Sequence, residues 1–176
     1  MNHVLNSDRP DKVALIEGDH AFTYAEVESR IVQFASGLLA DRSDLEEARI
    51  AFLIPAGVDS VTALHGVWRA GGIAIPLNVA AAESEWEHCL TSAGVTQVIA
   101  DAQTFSSIES LCGHLSIPIG TVSDTLIDTV SPMPVLSPAR RAMIVFTSGT
   151  TDMDLPAFGY EPAVYRLDEA HRFESI

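Results

Sequence analysis

The chain has few cysteines, few cations and no long apolar run, and each shortage excludes a class of protein. Its two cysteines, Cys89 and Cys112, lack CxxC spacing, so no disulfide framework is expected and both are predicted to be reduced core thiols. Nine arginines and one lysine oppose 24 acidic residues, and the formal net charge of −14 leaves no basic surface for nucleic acid or an anionic membrane. Polar residues interrupt the most hydrophobic region, 61–80, and the first ten residues lack an apolar signal core. No membrane span is therefore predicted, and a cytoplasmic location is expected.

Several catalytic and nucleotide-binding signatures are also missing. The sequence contains neither GxGxxG nor GxxxxGK[ST], which removes support for a dinucleotide fold or a Walker phosphate loop. Six histidines are scattered without HxxxH or HExxH spacing, so no metal site is predicted. Ser148 lacks the GxSxG context of a hydrolase nucleophile. His88 and Cys89 are adjacent, and on a helix they would point about 100° apart, so no nucleophile–base pair and no catalytic residue is assigned.

What the chain does have is an alternation of apolar strands with amphipathic helices. A hairpin is predicted over 12–23, followed by a helix that begins with a capping box of Thr23 and Glu26. Asp59 is the predicted cap of a second helix, and Trp68 and Trp86 fall on apolar helix faces. Strands are predicted at 48–55, 73–77, 96–100, 117–122 and 142–146, and the apolar run at 48–55 is typical of a strand covered on both faces. This order predicts an α/β fold with a mainly parallel sheet built from βαβ units.

A cluster of hydroxyl side chains follows the last of these strands. It consists of Thr147, Ser148, Gly149, Thr150 and Thr151. Its single glycine lets backbone N–H groups come close to an anion, and its hydroxyls add further donors, so the chemistry suits a polyphosphate. Composition alone favours a plain turn.

Three stretches together resemble the adenylate-forming (AMP-binding) ligase superfamily, and most closely its acyl-CoA synthetases. They are Phe22-Thr-Tyr-Ala-Glu-Val27, Gly66-Val-Trp-Arg-Ala-Gly-Gly-Ile-Ala-Ile-Pro-Leu-Asn78 and Phe146-Thr-Ser-Gly-Thr-Thr151, in the order of that superfamily. The resemblance implies the N-terminal subdomain of its fold and activation of a small-molecule carboxylic acid, such as a fatty acid. ATP and Mg²⁺ would be the cofactors and CoA a co-substrate. It also implies that Thr147, Ser148, Gly149, Thr150 and Thr151 contact the ATP phosphates.

After Thr151 the sequence departs from the superfamily. Where the signature continues with glycine, proline and lysine, this chain has Asp152 and Asp154, and each carboxylate would repel a phosphate by about 1 kcal/mol at ~4 Å in water. The only lysine, Lys12, precedes every motif, so no later lysine stabilises charge at the α-phosphate. We expect residues 1–151 to be a truncated part of the ligase domain and residues 152–176 an unrelated tail with a short helix. This polypeptide alone is expected to be inactive.

Two other functional interpretations stay open. The chain could belong to an amino-acid or aryl-acid adenylation module, or it could be a non-catalytic interaction module that keeps only the scaffold. The strand at 142–146 is expected at a sheet edge, because the strands that follow it in the superfamily have no counterpart here, and exposed apolar surface there would favour self-association. Arg140 and Arg141 precede that strand and are expected to form a solvated pair.

Overall fold

The structure, a computed structural model, describes residues 9–148, 160–167 and 173–175. The elements follow the chain as β1 Val13–Glu17, β2 His20–Thr23, α1 Tyr24–Leu39, β3 Arg49–Leu53, α2 Val58–Arg69, β4 Ile73–Pro76, α3 Glu83–Ser92, β5 Gln97–Ala100, α4 Phe105–Leu115, β6 Ile119–Thr121, α5 Val122–Thr125, β7 Arg141–Ser148, β8 Tyr160–Leu167 and β9 Phe173–Ser175. In the part of the chain described, no helix is long and apolar enough to cross a membrane.

The predicted hairpin and first helix are confirmed. Strands β1 and β2 pair antiparallel, and Gly18 adopts a left-handed φ of 57° in the turn between them. The capping box at the start of α1 is complete: the Glu26 backbone N–H donates to Thr23 Oγ1 at 3.3 Å, and the Thr23 N–H donates to Glu26 Oε2 at 2.7 Å. The bond from the Thr23 N–H favours the charged carboxylate and lowers the pKa of Glu26.

The predicted fold class, α/β with a mainly parallel sheet, is also confirmed. The main sheet has the order β6-β5-β3-β4-β7-β8-β9, in which the first five strands are parallel and the last two join antiparallel. Alternate residues of the central strand β3 enter different cores, as expected of a strand covered on both faces. Ile50 and Phe52 pack with α1 and α2, whereas Ala51 and Leu53 pack with α3 and α4.

Two predictions about the end of the chain are wrong for the residues described. The short tail helix was predicted after Pro162, but residues 160–167 form β8, and β8 pairs with β7 from Arg141 to Ser148. Strand β7 therefore lies between β4 and β8 and not at the sheet edge. The physical reason is that β8 gives partners to backbone groups that an edge strand would leave unpaired, and this outweighs the weak helical spacing of a short segment.

The start of α2 also differs from the prediction. The helix begins at Val58, one residue before the predicted cap Asp59, and Glu17 of the hairpin accepts a 3.2 Å hydrogen bond from the Val58 N–H. Asp59 instead pairs with Arg30 of α1 at 2.5 Å. Sequence spacing missed Glu17 because this partner lies 41 residues away along the chain.

Candidate functional site

The carboxyl ends of the five parallel strands meet at one edge of the sheet. Their last residues are Leu53, Pro76, Ala100, Thr121 and Ser148, and we call this side the carboxyl edge. Open parallel sheets bind ligands outside the carboxyl ends of their strands, because the loops there can approach a ligand without breaking the strand pairing. The carboxyl edge is therefore the candidate functional side of the molecule.

The hydroxyl cluster begins at this edge. Thr147 and Ser148 are the last two residues of β7, where their backbones pair with Glu161 and Tyr160 of β8. The other three candidate residues, Gly149, Thr150 and Thr151, lie outside the described residues. The structure thus locates where the cluster starts, and its contact with phosphate stays a prediction.

A cavity of about 120 Å³ opens beside the end of β7. It lies between β7, α3 and the loop that leaves β4, and it is lined by Pro76, Leu77, Asn78, Ala81, Glu85, Trp86, Cys89 and Phe146. Sequence reasoning missed Glu85 and Cys89 as cavity residues. Their spacing of four residues on α3, next to a predicted strand end, is the signal that could have indicated a shared cavity wall.

Hydrogen bonds order the loop that forms one wall of this cavity. Asn78 Oδ1 accepts from the Ala80 N–H at 3.0 Å, and the Trp86 indole N–H donates to the Asn78 carbonyl at 2.8 Å. Trp86 is only 8% exposed, which confirms its assignment to the core. The loop wall is therefore formed by the fold itself, before any ligand arrives.

Cys89 is a cavity residue whose thiol stays protonated near neutral pH. Burial, with the nearby Glu85 carboxylate as a smaller cause, raises the pKa of Cys89 to about 11. Cys112 is buried as predicted, but Cys89 is half-buried, so its assignment as a core thiol is corrected. A neutral thiol is a poor nucleophile, so the cavity offers a polar amide, a carboxylate and apolar walls rather than a covalent catalyst.

Arg140 and Arg141 lie at the opposite end of β7 from the hydroxyl cluster. Arg140 Nη1 donates to Asp44 Oδ1 at 2.7 Å, and Arg141 Nη2 donates to Glu47 Oε2 at 2.6 Å. Both side chains keep contact with solvent, at 30% exposed for Arg140 and 42% for Arg141, and each guanidinium also has a specific carboxylate partner. Neither residue borders the cavity at the carboxyl edge.

The described residues provide no preformed metal site. Within residues 9–148, 160–167 and 173–175, no group of three or more His, Cys, Asp or Glu residues could hold a metal ion. A Mg²⁺ ion that binds together with ATP takes most of its ligands from phosphates and water, so it does not require such a group.

Comparison with known proteins identifies the family. The sequence model described as "AMP-binding enzyme" matches residues 4–152. The chain belongs to the AMP-binding enzyme family. Its fold is that of the N-terminal subdomains of adenylate-forming ligases.

Relatives come from more than one branch of this family. The mitochondrial malonate–CoA ligase of Mus musculus is 27% identical over 152 residues, covering 80% of this chain and 26% of the relative. A non-canonical nonribosomal peptide synthetase of Aspergillus hancockii is 30% identical over 150 residues, covering 81% of this chain and 14% of the relative. The solved structure of ATP-bound MatB from Rhodopseudomonas palustris has a TM-score of 0.75 at 22% identity and covers 90% of this chain and 32% of that chain.

The chain spans about a quarter of the length of the mouse ligase. The malonate–CoA ligase and the peptide synthetase together show that its sequence is similar both to acyl-CoA ligases and to peptide-synthetase adenylation domains.

Proposed function

We propose that this chain supplies the phosphate-binding part of an ATP-dependent ligase that activates a carboxylic acid. The observation that carries the proposal is the position of the hydroxyl cluster. In a chain whose residues 4–152 match the AMP-binding enzyme family, the cluster starts where β7 reaches the carboxyl edge. That position suits a loop that holds an anion beyond the strand ends.

In the proposed reaction the chain's own residues bind and orient the nucleotide. Thr147, Ser148, Gly149, Thr150 and Thr151 would donate hydrogen bonds to the phosphates of ATP. The substrate carboxylate would attack the α-phosphate, forming an acyl-adenylate as the bond to pyrophosphate breaks. The CoA thiol would then form the thioester and release AMP, with loss of the thiol proton. Mg²⁺ would neutralise phosphate charge when bound.

The proposal also concerns which carboxylic acid is activated. We favour an acyl-CoA synthetase acting on a small aliphatic acid, because the mouse malonate–CoA ligase is among the relatives. An amino-acid or aryl-acid adenylation module is the second candidate, and the peptide synthetase with 30% identity favours it. Catalysis would require contributions beyond these 176 residues, since they contain no lysine after Lys12 and span a quarter of the mouse ligase.

Nucleotide binding and catalysis can be tested separately on the 176-residue protein. Isothermal titration with ATP should give measurable binding that Ser148→Ala weakens, because one phosphate donor is lost. Ser107→Ala is the matched control: Ser107 is exposed on α4, far from the hydroxyl cluster along the chain, so ATP affinity should not change.

Carboxylate-dependent pyrophosphate exchange tests the chemistry. We expect no exchange above background with malonate, fatty acids, aryl acids or amino acids. Exchange with any of these would contradict the proposal that the 176 residues are incomplete, and it would identify the acid. Absence of ATP binding would instead favour the non-catalytic interaction module.

A further inference from the structure

Strand β7 is attached to the parallel part of the sheet by little backbone pairing. It pairs with β4 at one register position, Ala74 opposite Met143, whereas β3 and β4 pair at four positions. On its other side β7 pairs with β8 over nearly its whole length. Strand β8 is not part of the parallel core. The backbone pairing of β7 with that core is therefore too limited to fix the register of β7 firmly.

Side chains from the core anchor the amino end of β7. The indole N–H of Trp68 donates to the Ala142 carbonyl at 2.7 Å. Both carboxylate oxygens of Glu47 bind Arg141, the residue before Ala142. Glu47 Oε1 accepts from the Arg141 backbone N–H at 2.8 Å, and Glu47 Oε2 accepts from Arg141 Nη2 at 2.6 Å and from Arg141 Nε at 3.0 Å. Two of these bonds hold the β7 backbone itself, so they fix its position along the strand direction.

Both anchors stand on well-fixed parts of the fold. Trp68 is in the last turn of α2. Glu47 lies in a turn whose own backbone is bonded to the end of that helix, with the Leu45 N–H donating to Ala70 O at 2.9 Å and the Glu47 N–H donating to Gly71 O at 2.8 Å. Trp68 and Glu47 are therefore both tied to α2 or to the residues directly after it.

Packing does not replace these hydrogen bonds. A cavity of about 60 Å³ lies directly beside them, and Trp68, Arg141 and Ala142 are among its lining residues. Mid-strand, Ile144 is packed into the core. At the amino end Ala142 is also buried, but the neighbouring cavity limits the packing beside the hydrogen bonds.

We infer that Trp68 and Glu47 are positioning residues for the hydroxyl cluster. A strand advances about 3.3 Å per residue and barely stretches, so fixing Ala142 also fixes where Thr147 and Ser148 reach the carboxyl edge. A slip of one residue would move the backbone of Thr147 and Ser148 along the sheet by that distance. This inference rests on the proposed function, because it concerns the loop proposed to hold ATP.

The test combines Trp68→Phe, which removes the indole N–H but keeps an aromatic ring, with Glu47→Gln, which removes the charge but keeps the length. Hydrogen exchange of the Ile144–Thr147 amides is measured beside ATP affinity. We expect at least tenfold faster exchange in β7, unchanged exchange in α4, and a fivefold or larger rise in the Kd for ATP. The charge swap Glu47→Arg with Arg141→Glu should restore an ion pair but not slow exchange, because an arginine at position 47 cannot accept the hydrogen bond from the backbone N–H of residue 141. Glu109→Gln on α4 is the control.

Each result decides a different point. Unchanged exchange in β7 overturns the inference, and so does faster exchange spread equally over α4. If the wild-type protein does not bind ATP, the proposed function fails, while the exchange data still decide whether the anchors hold β7. Faster exchange in β7 with an unchanged Kd for ATP would show that the anchors do not position the cluster. Should the double variant not fold, Glu47→Gln alone gives the same comparison.

Discussion

The two edges of the parallel sheet are built differently. At the amino edge, Arg140 and Arg141 are paired with Asp44 and Glu47, and Trp68 holds the start of β7. At the carboxyl edge, short loops surround a cavity with an amide and a carboxylate in its wall. The difference teaches that the two ends of one strand can have different roles: side-chain contacts from the core hold the start of β7, and its end reaches the edge where open parallel sheets bind ligands.

The strongest challenge to this comparison is Gly71→Val at the amino edge. Gly71 has a φ of 85°, and a Cβ there would overlap Asp44 Oδ1 and come within 2.9 Å of Arg140 Nη1. A β-branched residue in the left-handed region is strained, and the ion pair would have to break, so we expect a loss of about 2–4 kcal/mol of unfolding free energy. Urea denaturation measures it.

Gly113→Ala is the matched control for this substitution. Gly113 is an exposed residue of α4, and a Cβ there would meet no atom within 4 Å. Alanine should therefore stabilise the protein, by about 0.5–1 kcal/mol, because glycine costs that much inside a helix. Equal losses at Gly71 and Gly113 would show that the amino edge has no special role in stability.

How much of the fold could be predicted from the sequence depends on how far apart the interacting residues lie along the chain. The Thr23–Glu26 capping box and the buried strand β3 depend on neighbours in the chain or on local apolar pattern, and both were predicted. Contacts between residues distant in sequence were not predicted, because they form only in the assembled fold. They are the hydrogen bond of Glu17 to the start of α2, the hydrogen bond of Trp68 to Ala142 and the pairing of β8 with β7. For the candidate site, the family motif predicted the hydroxyl cluster. The cavity beside it requires α3 to pack against β7 and the loop after β4, and the spacing of Glu85 and Cys89 indicates only one wall of it.

A second prediction concerns the two acidic residues that follow the hydroxyl cluster in the sequence. Asp152→Asn combined with Asp154→Asn should tighten ATP binding, because two carboxylates that follow the hydroxyl cluster no longer repel the phosphates. At about 1 kcal/mol for each carboxylate, the Kd would fall by roughly fivefold per substitution at low salt. Titration calorimetry at two salt concentrations checks this, since the gain should shrink as salt screens the charges. An unchanged Kd at low salt would mean that these acids lie away from the nucleotide.

Acid should weaken the amino edge selectively. The hydrogen bonds from Arg140 and Arg141 lower the pKa of Asp44 and of Glu47 respectively. Since both carboxyls have a lower pKa in the folded state, their stabilisation is present above about pH 4, where they titrate in the unfolded chain, and is lost as pH falls through the folded pKa. Both arginines are partly exposed, so the total is about 1 kcal/mol.

Urea unfolding at pH 7 and pH 3 measures this contribution. Arg140→Gln with Arg141→Gln should be less stable than wild type at pH 7, and the gap should close towards pH 3. Arg42→Gln is the control, because Arg42 donates to the Leu38 carbonyl, which does not titrate. A gap that stays constant with pH would mean that the arginines act through packing and not through their carboxylate partners.

The smallest effect is expected from Asn78→Ala at the carboxyl edge. The substitution removes the hydrogen bond from the Ala80 N–H to Asn78 Oδ1 but leaves the Asn78 carbonyl that accepts from Trp86. Because Asn78 is exposed, water can replace the lost acceptor, and the unfolding free energy should fall by no more than about 0.5 kcal/mol. If ATP binds next to this loop, Asn78→Ala should change the binding free energy of ATP by more than it changes the unfolding free energy. A loss above 2 kcal/mol in urea unfolding would mean that the carboxyl edge also holds the fold together, and the division of roles along β7 would no longer stand.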